Sequence, residues 1–217
     1  MSTEAIAVGS AIISALALLV SFANYWSANL KVGQILMTKP TIFFFGWDQS
    51  DHPVPKIFMR SLLFSTANSG RVLEHLYLKI AAPNGESLYS FWGHTQGQPN
   101  SLTKGSGLFV GKQGFLADHH FNPDPATLIE VPYPFGTYEI EVIGRQFGDT
   151  TDRKMGRYSL ELDANLADML SQKVDGILWS LNPQENKYYP ETQHRDRGIS
   201  RTRDRSPRGV YFESLIK

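Results

Sequence analysis

A short run of carboxylate and imidazole side chains offers the clearest candidate for metal chemistry in this sequence. Asp118, His119 and His120 are consecutive, and Asp124 follows four residues after His120. Carboxylate and imidazole groups bind divalent metals, and three such ligands with one open position are typical of a catalytic zinc site. His94 is the further histidine that could complete the set. Together these residues would support metal-dependent hydrolysis.

The sequence around this triplet does not favour that chemistry. The triplet is similar to the Asp-His-His triplet of a phosphoesterase superfamily, and that resemblance implies further acidic motifs spread through an α/β domain. The surrounding chain instead has the pattern of β-strands, and Pro123 and Pro125 indicate a loop. We therefore expect a polar loop without metal or cofactor, and a metal-dependent hydrolase is the least favoured alternative.

An aromatic stretch between residues 91 and 98 is the second candidate site. It reads Phe-Trp-Gly-His-Thr-Gln-Gly-Gln, and Trp92 and His94 are its candidate ligand- or partner-binding residues. In a loop, such a stretch can stack on a sugar or hold a peptide. The competing interpretation is a strand end whose tryptophan closes the core, since large aromatic side chains are mostly buried. Sugar binding would make the chain an extracytoplasmic, carbohydrate-type binding module, which is the alternative function.

Other catalytic motifs are missing from the sequence. There is no cysteine, which excludes disulfides, thiolate zinc sites and cysteine nucleophiles. No Gly-x-Ser-x-Gly elbow is present, and the glycine-rich segment 104–107 has neither P-loop nor dinucleotide-binding spacing. We therefore expect that the chain is not an enzyme.

The C-terminal region is an arginine-rich tail. Residues 194–209 carry six arginines and two aspartates, net +4, whereas residues 30–193 carry 14 basic and 17 acidic residues, net −3. Its candidate binding residues are Arg195, Arg197, Arg201, Arg203 and Arg205. Low hydrophobicity predicts an extended or disordered segment. Such a tail could bind nucleic acid, anionic lipid or an acidic protein groove, or could be a solvated linker.

The longest uncharged segment of the chain lies near its start. No charged residue occurs between Glu4 and Lys31, and residues 5–23 are almost wholly apolar or small. At about 1.5 Å per residue, such a helix just crosses a hydrocarbon core of about 30 Å. The first four residues contain no Lys or Arg, which argues against a cleaved signal peptide. The sequence therefore predicts a single-pass membrane anchor.

The residues after this segment predict where the anchor leaves the membrane. Tyr25, Trp26 and Lys31 are expected at the membrane interface, where amphipathic aromatic and basic side chains are favoured. The helix is predicted to continue as a stalk to Thr38, since Pro40 disfavours helical geometry before it. The flanking lysines favour a cytoplasmic soluble domain. Small residues at every fourth position would allow homo-oligomeric packing of the helix in lipid.

From Pro40 onward the sequence alternates as strands do. Tyr138, Ile140 and Val142 alternate with Glu139 and Glu141, which is typical of a sheet with one buried face. Strands are predicted at 41–47, 57–66, 72–82, 86–92, 108–116, 127–131, 137–145 and 157–162. The predicted fold class is mainly β, an antiparallel β-sandwich whose strand pattern resembles immunoglobulin-like sandwiches.

Residues 164–181 return to helical spacing. Their apolar stripe comprises Leu166, Leu170, Val174, Ile177 and Leu181, which predicts an amphipathic C-terminal helix packed on the sandwich. The predicted organisation is an anchor and stalk over 1–38, a sandwich over 39–163, the helix over 164–183 and the extended tail over 184–217.

These features together predict a single-pass, membrane-anchored, non-enzymatic binding or scaffolding protein. Its expected partners are the lipid bilayer and another protein or a second copy of itself. Because an anchor concentrates a binding domain at a surface, we expect an accessory subunit of a membrane complex.

Overall fold

The computed structural model describes residues 3–26, 33–48, 53–96, 102–105, 107–127, 132–173 and 176–193. Two helices occur there, α1 (Thr3–Tyr25) and α2 (Ala164–Ser171). The strands are β1 (Ile35–Met37), β2 (Ile42–Trp47), β3 (Pro55–Ser65), β4 (Arg71–Ala82), β5 (Gly85–Thr95), β6 (Leu102–Lys104), β7 (Leu108–Val110), β8 (Phe115–Pro123), β9 (Gly136–Gln146), β10 (Arg153–Leu162), β11 (Gly176–Asn182) and β12 (Lys187–Gln193).

The strands form one antiparallel sheet. Its order is β10-β9-β4-β5-β8-β3-β2-β11-β12, with β1 paired to β3, β6 to β5 and β7 to β4. A twisted sheet of this many strands curls on itself, and the result is nearly barrel-shaped. The mainly-β, antiparallel prediction is confirmed. The immunoglobulin-like sandwich is not, because continuous pairing joins all the strands into one sheet instead of two.

The core lies on the inner face of this barrel. Alternate residues of β3 and β9 are buried, so the alternation at Tyr138, Ile140 and Val142 is confirmed. Phe45 contacts the Tyr138 and Trp179 rings at 5.6 and 4.9 Å, which joins β2, β9 and β11 across the interior. Long strands with one apolar face thus account for the curled, nearly barrel-shaped sheet.

Helix α2 covers one end of the barrel, which we call the distal end. Asp163 is its N-cap, and its Oδ1 accepts a hydrogen bond from the Leu166 amide at 2.8 Å. Leu170 is fully buried, and its carbonyl accepts a hydrogen bond from Trp47 Nε1 at 2.6 Å. The start of β11 and the end of β12 lie at this end too, because Gly176 pairs with Gln193.

The helix predicted over 164–183 is not confirmed beyond Ser171. Lys173 has φ of +57°, which ends helical geometry, and β11 follows from Gly176. Ile177 and Trp179 are buried at strand spacing. The region predicted as tail also begins with structure, since β12 pairs with β11.

Two other predicted elements differ from the structure. Residues 35–37 form β1 instead of a stalk helix, because their backbone pairs with β3 in the register Ile35 to Ser65. The strand predicted over 108–116 is divided into β7 and β8 by a turn at residues 111–114. Of the strand predicted over 127–131, Thr127 lies in a turn, and residues 128–131 lie outside the described residues.

Helix α1 has the dimensions of a membrane span. The stretch Ala7–Tyr25 is 19 residues long with a mean hydropathy of 1.9, and none of it is buried against other parts of the described chain. It is the one helix in the described ranges that is long and apolar enough to cross a membrane.

Candidate functional site

The Asp118-His119-His120 triplet lies within strand β8, not in a loop as predicted. Consecutive side chains of a strand point to opposite faces. Asp118 and His120 therefore lie on the outer face of the barrel, and His119 lies on the inner face. The ring contacts agree, since His120 lies 5.4 Å from Phe58 on the outer face and His119 lies 6.1 Å from Phe91 in the core. The three side chains do not converge on one point.

Asp118 is held by an arginine from the neighbouring strand. Arg60 Nε and Nη2 donate to Asp118 Oδ1 and Oδ2 at 2.6 and 3.2 Å. Thr95 Oγ1 lies 3.4 Å from Asp118 Oδ2 and 3.3 Å from His120 Nε2. Both carboxylate oxygens thus have partners within the protein. A paired arginine competes directly with any metal for this carboxylate.

His119 is a core residue. It has no exposed surface, and its Nε2 lies 3.3 Å from the Ser61 carbonyl oxygen. Burial lowers its pKa to about 4, because the charged imidazolium loses its hydration. No group of three or more His, Cys, Asp or Glu residues suited to a metal ion occurs among the described residues.

Trp92 and His94 lie on strand β5 and face opposite sides of the sheet. The pairing with β8 shifts there, from Phe91 opposite Phe121 to Gly93 opposite His120, so Trp92 is the extra residue of a β-bulge. Trp92 lies on the outer face, 6.2 Å from the His120 ring. His94 lies on the inner face, 4.8 Å from the Phe115 ring, and burial lowers its pKa. The predicted loop is therefore a strand, and its two candidate residues do not share a surface.

Trp92 belongs instead to a row of rings on the outer face. We define the aromatic row as Phe44, Phe58, His120 and Trp92, on strands β2, β3, β8 and β5. The Phe44 and Phe58 rings stack at 4.7 Å. All but His120 are half-buried, so part of each of these three rings remains accessible, although the Trp92 Nε1 atom is buried.

Two lysines flank the tryptophan of this row. Lys56 Nζ lies 5.5 Å and Lys104 Nζ 5.9 Å from the centre of the Trp92 ring, within cation–π range. Partial burial lowers the pKa of Lys56. Ring faces beside cations can bind an acidic or aromatic protein segment. This grouping of the aromatic row and the two lysines is not predictable from the sequence, because its members come from five separate strands.

The predicted membrane-interface residues lie at the end of α1. Tyr25 ends the helix, and Trp26 follows it with its ring 6.3 Å from Phe22. Both aromatic side chains are exposed. Lys31 lies outside the described residues.

The five candidate arginines of the tail also lie outside the part of the chain that the structure describes: Arg195, Arg197, Arg201, Arg203 and Arg205. The point at which the tail begins is nevertheless fixed. Strand β12 ends at Gln193, opposite Gly176, so the tail leaves the barrel at its distal end.

Comparison with known proteins gives no match to this chain among family models, curated proteins or solved structures.

Proposed function

We propose that this chain is a single-pass, membrane-anchored, non-enzymatic binding or scaffolding protein, an accessory subunit of a membrane complex. The observation that carries the proposal is the isolation of α1 from the core. Its large side chains, among them Leu16, Leu18 and Phe22, are 55 to 73% exposed. An apolar surface of this extent is characteristic of contact with a membrane or another protein.

The cytoplasm is the proposed location of the β-domain. Lys31 and Lys39 follow the apolar stretch closely. Lysine and arginine close to a membrane span are retained on the cytoplasmic side more often than not.

A binding function is favoured because the candidate catalytic groups already have structural contacts. Asp118 is paired with Arg60, and His119 is enclosed in the core. The aromatic row offers the most suitable binding surface, since Trp92 presents a half-buried ring between two lysines. Aromatic residues in such positions carry much of the affinity of protein interfaces.

The tail supplies the second contact in this proposal. It follows Gln193 at the distal end, whereas α1 joins the barrel through residues 26–32 and β1 at the opposite end. We propose an acidic protein surface as the partner of this tail, since its six arginines outnumber its two aspartates.

Affinity capture of the full-length chain in mild detergent tests the proposal. We expect a partner in stoichiometric amount, and at least about tenfold weaker capture by a Trp92→Ala variant, since truncation of an interfacial tryptophan costs about 2 kcal/mol. Tyr189→Ala is the matched control, because Tyr189 is an exposed aromatic residue on β12 away from the row. Absence of any stoichiometric partner would count against the proposal.

Protease treatment of intact cells tests the orientation. A protected tail is expected for a cytoplasmic domain. Removal of the tail by external protease would contradict that orientation and would favour the extracytoplasmic, carbohydrate-type module.

A further inference from the structure

The barrel end opposite α2 is the end at which the chain enters from α1, and we call it the proximal end. Thr66 N donates to the Gln34 carbonyl at 2.9 Å, and Arg71 Nε donates to the Gly33 carbonyl at 3.3 Å. Gly33 also lies so close to Ala67 that a Cβ atom there would overlap the Ala67 backbone. These contacts fix the entry point of the chain beside the loop at residues 66–70.

The chain between α1 and this end is short. Seven residues, 26–32, separate Tyr25 from Gly33. A fully extended segment of that length spans at most about 28 Å. If α1 crosses the membrane, the proximal end is therefore held close to the headgroups.

A row of exposed apolar side chains lies at the proximal end, on β4, on β7 and in the turn directly after β9. Phe147 N donates to the Val72 carbonyl at 2.9 Å, and Val72 pairs with Phe109 across β4 and β7. Phe147 is 70% exposed, Val72 41% and Phe109 66%. Their register places them side by side on the outer face, since Leu73 and Gln146, the adjacent pair, are buried inside.

Two further exposed leucines extend this row around the proximal end. Leu36 of β1 pairs with Phe64, and Leu116 of β8 pairs with Leu62. We call Leu36, Val72, Phe109, Leu116 and Phe147 the proximal rim. Single exposed apolar residues are ordinary in proteins, but a set gathered at one end indicates a contact surface.

The polar residues between these side chains suit a neutral lipid interface. The loop at 66–70 has no charged residue, the loop at 111–114 has Lys112, and the loop at 147–152 has Asp149 and Asp152. Because the charges in these three loops are few and of both signs, the loops themselves contribute little attraction to anionic lipid. Insertion of apolar side chains is then the main favourable contribution.

We propose that the proximal rim lies in the membrane interface, with the Phe109 and Phe147 side chains inserted among the lipid headgroups. This inference rests on the proposed anchoring by α1. It gives the β-domain a fixed orientation, with the proximal end at the bilayer and the distal end, where β12 ends at Gln193, facing away from it.

Spin labels on the full-length chain in phosphatidylcholine vesicles test this placement. The chain has no cysteine, so each substitution creates one labelling site. The variants are Phe109→Cys, Phe147→Cys, the control Phe135→Cys and the anchor probe Leu16→Cys. Phe135 is a matched control because it is 68% exposed and lies at the distal end, just before β9 begins. The measurement compares collision of each label with oxygen, which enters lipid, and with a water-soluble nickel complex.

The expected result is a several-fold higher oxygen-to-nickel ratio at positions 109 and 147 than at position 135. A ratio at both rim positions equal to that at 135, with Leu16 in hydrocarbon, would overturn this inference and leave the anchor intact. A water-exposed label at Leu16 would instead contradict the proposed function. Low collision with both reagents at the rim would show a protein cover, such as a second copy, and would also overturn the inference.

A label that leaves both phenylalanines in place supplies a second test. The label is attached through Thr150→Cys, because Thr150 lies in the exposed loop after Phe147. Its oxygen-to-nickel ratio is expected to fall several-fold when Phe109→Ser and Phe147→Ser are added. An unchanged ratio would contradict insertion of these two side chains.

Discussion

Arg60 holds Asp118 by two parallel hydrogen bonds across neighbouring strands, with Nε to Oδ1 at 2.6 Å and Nη2 to Oδ2 at 3.2 Å. The Asp118 side chain is 5% exposed and that of Arg60 26%. This pair explains the presence of a carboxylate at a position where a metal ligand could be suspected. A buried carboxylate without a partner would destabilise the fold, and the arginine supplies that partner.

Removal of Arg60 should destabilise the barrel. We expect Arg60→Met to lower the free energy of unfolding by roughly 2 kcal/mol, because it leaves the Asp118 carboxylate buried without its cation. The expected loss of unfolding free energy is smaller than for a fully buried ion pair, since the Arg60 side chain is partly exposed. Urea unfolding of the detergent-solubilised chain, followed by tryptophan fluorescence, measures the change.

The double variant Arg60→Met/Asp118→Leu is the control for that prediction. It removes both charges and should recover most of the lost stability. A double variant that is as unstable as the sum of both single variants would show that the two residues act independently.

Acid should weaken the fold through His119. In the folded chain its pKa is about 4, whereas an unfolded histidine titrates near 6.5. Between these values the unfolded chain binds more protons, so the free energy of unfolding should fall as the pH drops from about 6.5 to 4. The contribution is on the order of 3 kcal/mol at the lower limit.

Comparison of wild type with His119→Leu isolates this effect. The His119→Leu variant should lose the part of the pH dependence that His119 contributes. A His75→Leu variant, which changes an exposed histidine, should retain it. Identical pH dependence in wild type and His119→Leu would contradict the assignment of this histidine to the core.

Divalent metal should not stabilise the protein. His119 and His120 lie on opposite faces of β8, and Asp118 is occupied by Arg60, so we expect excess Zn²⁺ or Mn²⁺ to leave the thermal midpoint unchanged. Thermal unfolding with and without metal checks this. A metal-induced rise in the thermal midpoint of the wild type that is lost in a His119→Ala/His120→Ala variant would support the metal-dependent hydrolase instead.

The cap of α2 should contribute measurably to stability. Asp163→Ala removes the hydrogen bond from the Leu166 amide and should cost about 1 kcal/mol of unfolding free energy. Asp168→Ala, an exposed position within the same helix, should have a much smaller effect. Urea unfolding compares the two, and equal losses would argue against the capping role.

Much of the sheet could be predicted from the alternation of apolar side chains. The run around Tyr138, Ile140 and Val142 alternates strictly, and this pattern has one physical interpretation. The segment after residue 171 was ambiguous. A helical stripe fits the apolar residues Leu166, Leu170, Val174, Ile177 and Leu181. A strand also fits Ile177 and Trp179. The positive φ of Lys173, which ends the helical geometry, cannot be inferred from the sequence. The strand order of the nearly barrel-shaped sheet depends on pairing between strands that are distant in the chain, which local sequence patterns do not contain.

The candidate site was less predictable than the fold. Trp92 was identified as a candidate, but the bulge that turns it away from His94 arises from a register shift against β8. Its neighbours Lys56 and Lys104 come from β3 and β6, far apart in the chain. The exposed rim residues Phe109 and Phe147 resemble core residues in the sequence, since only the folded register shows which face they occupy.

The most direct test of the central claim is the state of the chain in its native membrane. We expect the 217-residue chain to remain in the membrane fraction after alkaline carbonate washing, with an intact mass that includes all of α1. A soluble chain cleaved near residue 23 would identify the apolar segment as a signal peptide and would contradict the anchored binding protein proposed here.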